Sequence, residues 1–180
     1  MIIYALLLLG LGALHHLYFG EPLSTLYIIN PSAPYTLGVE AEVAIGALLG
    51  LALVKLTQAL SARFEVLRRL DEDFAALFAH HHPLHLTGIA LMSSFVEEVL
   101  FRGWLLPQAG LLWSSLLFGA AHVPLERHHW PWPLAATLMG LMLGGLTLAT
   151  GSITLAFVVH FTLNHFNLQA LRESAARVTP

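Results

Sequence analysis

The sequence contains no cysteine. That absence removes disulfides, thiolate nucleophiles, thiolate metal ligands and palmitoylation together. Charge is also scarce: 11% of the residues are Asp, Glu, Lys or Arg, and eight basic residues against eleven acidic ones give a net charge of −3. A chain so poor in cations presents no electrostatic footprint for nucleic acid, which excludes that partner. No His-Glu-x-x-His run occurs, which argues against a helix-borne metalloprotease site. The first apolar run, Ile2–Phe19, has no basic segment before it and no small-x-small cleavage pattern before Gly20. It therefore reads as a retained span and not as a signal peptide.

What is abundant is apolar surface. Hydrophobic residues make up 57% of the chain and the mean hydropathy is +0.72, values of an integral membrane protein. At 180 residues the chain is expected to form a single integral-membrane domain over residues 1–180. Gly20–Tyr35, with Pro22, Asn30, Pro31 and Pro34, reads as a connection with turn chemistry. Further apolar runs follow at Thr36–Leu60, Leu84–Leu106, Gly110–Val123, Leu134–Thr150 and Ile153–Leu171. Glu40 and Glu42 open the second run, where interfacial acids also complement the helix dipole. Gly46 and Gly50 in that run, and Gly140, Gly144 and Gly145 in the fifth, predict faces for close helix packing. Trp130 and Trp132 suit a headgroup-level belt.

Between the second and third runs lies the most polar segment, Ser61–His82. Phe64, Leu67, Leu70, Phe74, Leu77 and Phe78 recur there at three- and four-residue steps among charged residues, predicting one amphipathic helix on the membrane surface. The expected fold is all-α: a polytopic membrane helix bundle of about six transmembrane spans plus this interfacial helix. Outside the spans, Arg63, Arg68, Arg69, Arg127, Arg172 and Arg177 fall in alternate connections and the C-terminal tail. In a six-span chain, about one crossing per apolar run, that pattern places both termini in the cytoplasm.

One run breaks the apolar rule. Ser93–Gly103, reading SSFVEEVLFRG, puts Glu97, Glu98 and Arg102 inside a stretch long enough to cross a bilayer. Each such charge at a helix centre costs roughly 2.5–3.5 kcal/mol, so three together point to a functional site. On a helix, Glu98 and Arg102 stand four apart in the favourable order for an ion pair, while Glu97 points elsewhere and is left free. His122, His160 and Asn164, on two other spans, fall with Glu97 at comparable depths of roughly 10–18 Å, so the four could meet in one cavity. A free carboxylate, two imidazoles and an amide have the parts to activate water against a carbonyl. Glu97 with His122 would deprotonate the water, and His160 and Asn164 would stabilise the oxyanion. The same Glu97, His122 and His160 also form a plausible two-histidine, one-carboxylate metal set. A non-catalytic membrane scaffold and a small proton or metal carrier are the remaining readings.

The order Glu97-Glu98-x-x-x-Arg102, then Phe118-x-x-x-His122, then Thr150-Gly151-Ser152 leading to His160-x-x-x-Asn164, resembles the CAAX protease and bacteriocin-processing (CPBP, or Abi) family, which includes the type II CAAX prenyl endopeptidases. The resemblance covers about Ser93–Asn164 and implies a catalytic core at about residues 84–171. It implies an intramembrane glutamic peptidase with Glu97 as base, His122 as its water-binding partner, and His160 and Asn164 as oxyanion hole. Glu98 and Arg102 would be a structural ion pair, and neither metal nor other cofactor would be needed. The expected partners are the lipid bilayer and a membrane-anchored peptide or protein substrate, in a bacterial inner (plasma) membrane.

Overall fold

The computed structural model describes residues 2–27, 32–124 and 126–178. Asn30 and Pro31 of the first connection lie outside them. The elements of the described residues are helices: α1 (Ile2–Phe19), α2 (Val39–Arg63), α3 (Glu65–Phe78), α4 (Pro83–Glu97), a π-helical segment (Glu98–Leu105), α5 (Leu106–Ala121), α6 (Pro131–Thr150) and α7 (Thr154–Val178). Short 3-10 turns occur at Leu23–Tyr27 and Arg127–His129.

The expectation of six transmembrane spans is overturned. Among the described residues three helical runs are long and apolar enough to cross a membrane: Val39–Arg63, Pro83–Ala121 and Arg127–Thr150. The third and fourth expected spans count as one run because α4, the π segment and α5 follow one another without an intervening loop over 39 residues. Pro107 does not end the helical run, since it stands at the start of α5 directly after the π segment. Gly110, at φ 75° and ψ 170°, is not helical, so two helices meet there at a kink with no loop between them. α1, at 18 residues or about 27 Å, is not one of the three. α7 is interrupted by His160, Asn164, His165, Asn167 and Gln169 and is too polar. Placing both termini on one side depended on alternating six-span loops, so that inference falls with the span count. The chain is an integral membrane protein carrying several apolar helices.

α7 is the central helix, packed against α2, α3, α4 and α6, while α5 packs mainly on α6. Small residues permit the closest approach. A Cβ on Gly46 would meet Val158 Cβ at 2.8 Å, and one on Gly50 would meet the Val159 carbonyl at 3.1 Å, so only glycine lets α2 lie this close to α7. On α6, Gly140 and Gly144 lie against Ser115 and Leu111 of α5, whereas Gly145 faces nothing within 4 Å. α6 ends at Gly151, whose left-handed φ of 75° returns its N–H to the Thr147 carbonyl and turns the chain into α7.

α3 is the amphipathic helix expected within Ser61–His82, with Leu70 and Ala75 buried and Glu65, Arg68, Arg69 and Glu72 exposed. Two interfacial assignments change. Glu42 is buried at 3% exposure, with the Ser152 hydroxyl 2.9 and 2.8 Å from its two carboxylate oxygens, because α2 packs along α7 and carries this first-turn acid inward. Trp130 is exposed, but Trp132 is half-buried with its ring edge-on to Phe74 and His122 and so belongs to the interior.

Candidate active site

The site is built where the α4–π–α5 run passes α7. Glu97 ends α4 and Glu98 opens the π segment. The wider i→i+5 turn of a π segment is a feature common at functional sites. His122 caps the C-terminus of α5, and His160 and Asn164 stand one turn apart on α7.

Glu98 is fully buried and takes two partners on one oxygen. Arg102 Nη1 donates to Oε1 at 2.9 Å, and His160 Nδ1 lies 2.7 Å from the same atom. With Arg102 donating to the same oxygen, His160 Nδ1 is assigned as a second donor, which leaves Nε2 pointing away from Glu98. The Arg102 guanidinium also covers the Phe118 ring, 4.2 Å from its centroid, with Nη2 reaching the Gly140 carbonyl at 3.5 Å. Phe118, 1% exposed, additionally meets the rings of Phe101, His122 and His160. It is the apolar wall that fixes all three polar partners in place.

Glu97 is held differently. Its side chain is 22% exposed, and Oε2 lies 3.9 Å from His122 Nε2 and 3.8 Å from His160 Nε2. Those distances exceed a direct hydrogen bond, and Oε2 is buried without a hydrogen-bond partner among the described protein atoms. His122 Nδ1 lies 2.7 Å from the Phe118 carbonyl, which only accepts, so its proton is on Nδ1 and Nε2 faces Glu97. Both imidazoles thus turn Nε2 toward one carboxylate oxygen.

The structure therefore brings Glu97, His122 and His160 together and places Glu98 and Arg102 in direct contact. Asn164 is held separately, its amide donating to the buried Ser94 hydroxyl at 3.3 Å. The sequence reading missed the Glu98–His160 bond, and no local signal could reveal it, since the two stand 62 residues apart.

A second carboxylate–imidazole cluster lies nearby. Asp73 Oδ2 on α3 is 2.7 Å from His128 Nε2 and 2.9 Å from His129 Nε2. Hydrogen bonds from His129 first, and then from His128, hold the Asp73 carboxyl below its ordinary value. The two clusters are joined by rings: Phe74 meets His129 at 5.7 Å and Trp132 at 4.9 Å, and Trp132 meets His122 at 5.4 Å. The adjacent His128-His129 pair was visible in the sequence, but its acid partner is 55 and 56 residues away.

Residues 79–166 match the family model described as Type II CAAX prenyl endopeptidase Rce1-like. The uncharacterized protein YpbD of Bacillus subtilis (strain 168) is 31% identical over 90 residues, covering 49% of this chain and 46% of that protein. The match thus spans less than half the length of this relative. No solved structure matches. The matched stretch contains Glu97, Glu98, Arg102, His122, His160 and Asn164, and excludes Asp73. Over about half its length this membrane chain is similar to the CAAX prenyl endopeptidases, and with its carboxylate–imidazole clusters that similarity is consistent with intramembrane proteolysis.

Proposed function

We propose that the chain is an intramembrane endopeptidase that hydrolyses a peptide bond of a membrane-associated protein or peptide near its anchor. The observation that carries this reading is the shared focus of Glu97 Oε2 with the Nε2 atoms of His122 and His160, at 3.9 and 3.8 Å. Atoms that far apart are too distant to bond directly, yet their spacing leaves room for one water at an ordinary hydrogen-bond length of about 2.8 Å to bridge them.

In the proposed reaction Glu97 takes a proton from that water while the water oxygen attacks the scissile carbonyl carbon. His122 Nε2, its tautomer set by the Phe118 carbonyl, accepts the other water hydrogen and orients the attack. The carbonyl π pair moves onto oxygen. Asn164, exchanging Ser94 for the substrate, and His160 donate to that oxyanion. Because the His160 Nδ1 proton is committed to Glu98, donation through Nε2 requires the imidazolium, and the Glu98 carboxylate supplies its countercharge. Collapse re-forms the carbonyl and breaks the C–N bond, and the proton held by Glu97 passes to the leaving amine. Glu98 and Arg102 hold His160 and do not touch the substrate.

The test is cleavage of a membrane-anchored peptide by purified protein, read by mass spectrometry. Glu97→Gln preserves shape and removes basicity, so hydrolysis should fall by about 10²–10⁴. Unchanged activity in that variant would end the reading. The assay is repeated with EDTA on His128→Ala protein, whose surface cluster is broken. Loss of cleavage there, with recovery on adding zinc, would reassign Glu97, His122 and His160 as metal ligands.

A further inference from the structure

We propose that Asp73, His128 and His129 form a binding site for a divalent transition-metal ion of the zinc class, clamping α3 to the turn that precedes α6. Three donor atoms converge there: Asp73 Oδ2, His128 Nε2 and His129 Nε2 all lie within 4.8 Å of one another. Two imidazoles and a carboxylate are a donor set that such ions take, with remaining positions filled by water. Metal–ligand bonds of about 2.0–2.2 Å in tetrahedral geometry put neighbouring donors roughly 3.3 Å apart. The present separations of 2.7 and 2.9 Å from Oδ2 to the two nitrogens need only a small opening.

The site has a fixed side and an open side. His129 is buried at 4% side-chain exposure, with its ring against Phe74 at 5.7 Å and His128 at 4.4 Å. Asp73 and His128 are about half exposed, at 48% and 46%, so an ion can enter from solvent. Asp73 is already anionic at neutral pH, being held below its ordinary value by the two imidazoles. Two protons must move: an ionised carboxylate only accepts, so both neutral rings now carry their proton on Nε2, and the Glu126 N–H donating to His129 Nδ1 at 3.3 Å fits that tautomer. Metal binding shifts each proton to Nδ1 and gives up the long Glu126–His129 contact. The ion would join segments 55 residues apart and close the chain around the stretch that bears Glu97 and His122. Its position beside the Phe74–Trp132–His122 ring contacts makes α3 docking, and through it the setting of His122, responsive to metal.

The experiment is calorimetric titration of metal-free, full-length protein in detergent with Zn²⁺ alone, with thermal unfolding followed in parallel. One equivalent should bind and raise the unfolding temperature. His128→Ala and Asp73→Asn should each weaken binding by at least about 10-fold and abolish the thermal shift, while Glu97→Gln should bind like the parent. X-ray absorption of the zinc complex should find two imidazole nitrogens in the first coordination sphere. His128 is on the surface, so its variant isolates binding from folding if Asp73→Asn fails to fold. Absence of stoichiometric binding by the parent would overturn the proposal, as would binding that survives in His128→Ala and disappears in Glu97→Gln. The readout is metal binding, so it is independent of whether the chain cleaves peptides.

Discussion

Glu98–Arg102 and Glu65–Arg69 are the same pair of residue types at the same four-residue spacing, at 2.9 and 2.8 Å. In the first the two side chains are 0% and 3% exposed; in the second they are 55% and 64% exposed. The buried pair has had its hydration replaced by a fixed set of partners, namely His160, the Phe118 ring and the Gly140 carbonyl. Around the surface pair, water remains the alternative partner, and Arg68, bridging Glu65 and Glu72, only adds to an already solvated network. The same Glu–Arg pair thus holds the His160 imidazole in one place and forms a solvated helix face in the other, and the difference lies in what surrounds the pair.

The largest expected effect comes from stranding the buried carboxylate. Arg102→Ala should destabilise the fold by about 3–5 kcal/mol, measured by denaturation in mixed micelles, because Glu98 is left charged without its principal counterion. Glu97→Gln, where Oε2 has no hydrogen-bond partner among the described residues, should unfold like the parent. Equal stability of Arg102→Ala and the parent would erase the contrast between the two regions.

A smaller effect separates packing from charge. Gly50→Ala would drive a methyl toward Thr162 and the Val159 backbone, so α2 must move off α7. Overpacking of this kind costs about 1–3 kcal/mol, to be read as a lowered unfolding temperature. Gly145→Ala, with nothing within 4 Å, is the matched control and should be neutral.

Arg69→Ala should produce no resolvable change in unfolding, since exposed ion pairs contribute little. A clear destabilisation would show that α3 is covered by something that makes its charges count.

The smallest effects are in pH. Glu65 is held below its ordinary value by Arg68 and then Arg69, and Asp73 by His129 and then His128. A carboxyl lowered on folding contributes stability that is present above its unfolded value and is lost as pH falls through the folded one. The contribution of both to α3 should therefore survive at neutral pH and fade only below the ordinary carboxylate range, near pH 4. Asp71 runs the other way, raised chiefly by burial despite a hydrogen bond from Ser61. It is a burden at neutral pH that is relieved on acidification, so Asp71→Asn should slow amide exchange in α3 at pH 7. Faster exchange in that variant would contradict the sign.

The sequence by itself determined the class of fold and the cast of the site. Helical period and composition are local properties. They specified apolar helices, the amphipathic α3, the Gly46 and Gly50 face, and the cost of placing Glu97, Glu98 and Arg102 in an apolar run. Depth arithmetic on the expected spans grouped Glu97, His122, His160 and Asn164, of which the structure brings the first three together. Only the tertiary structure decided how the runs join. Proline in a first turn and glycine at a kink read as breaks in a linear pattern, and the chain does kink at Gly110, yet no loop separates the helices on either side and Pro83–Ala121 counts as one apolar run, which removed the six-span count. It alone decided that Glu98 serves His160 as well as Arg102, that Asn164 rests on Ser94, that Glu42 is buried against Ser152, and that Asp73 meets His128 and His129. Each of those contacts joins residues 55 to 110 positions apart. Side-chain spacing along a helix encodes what lies on one face, but which faces meet is settled by close packing of the whole bundle, above all around α7.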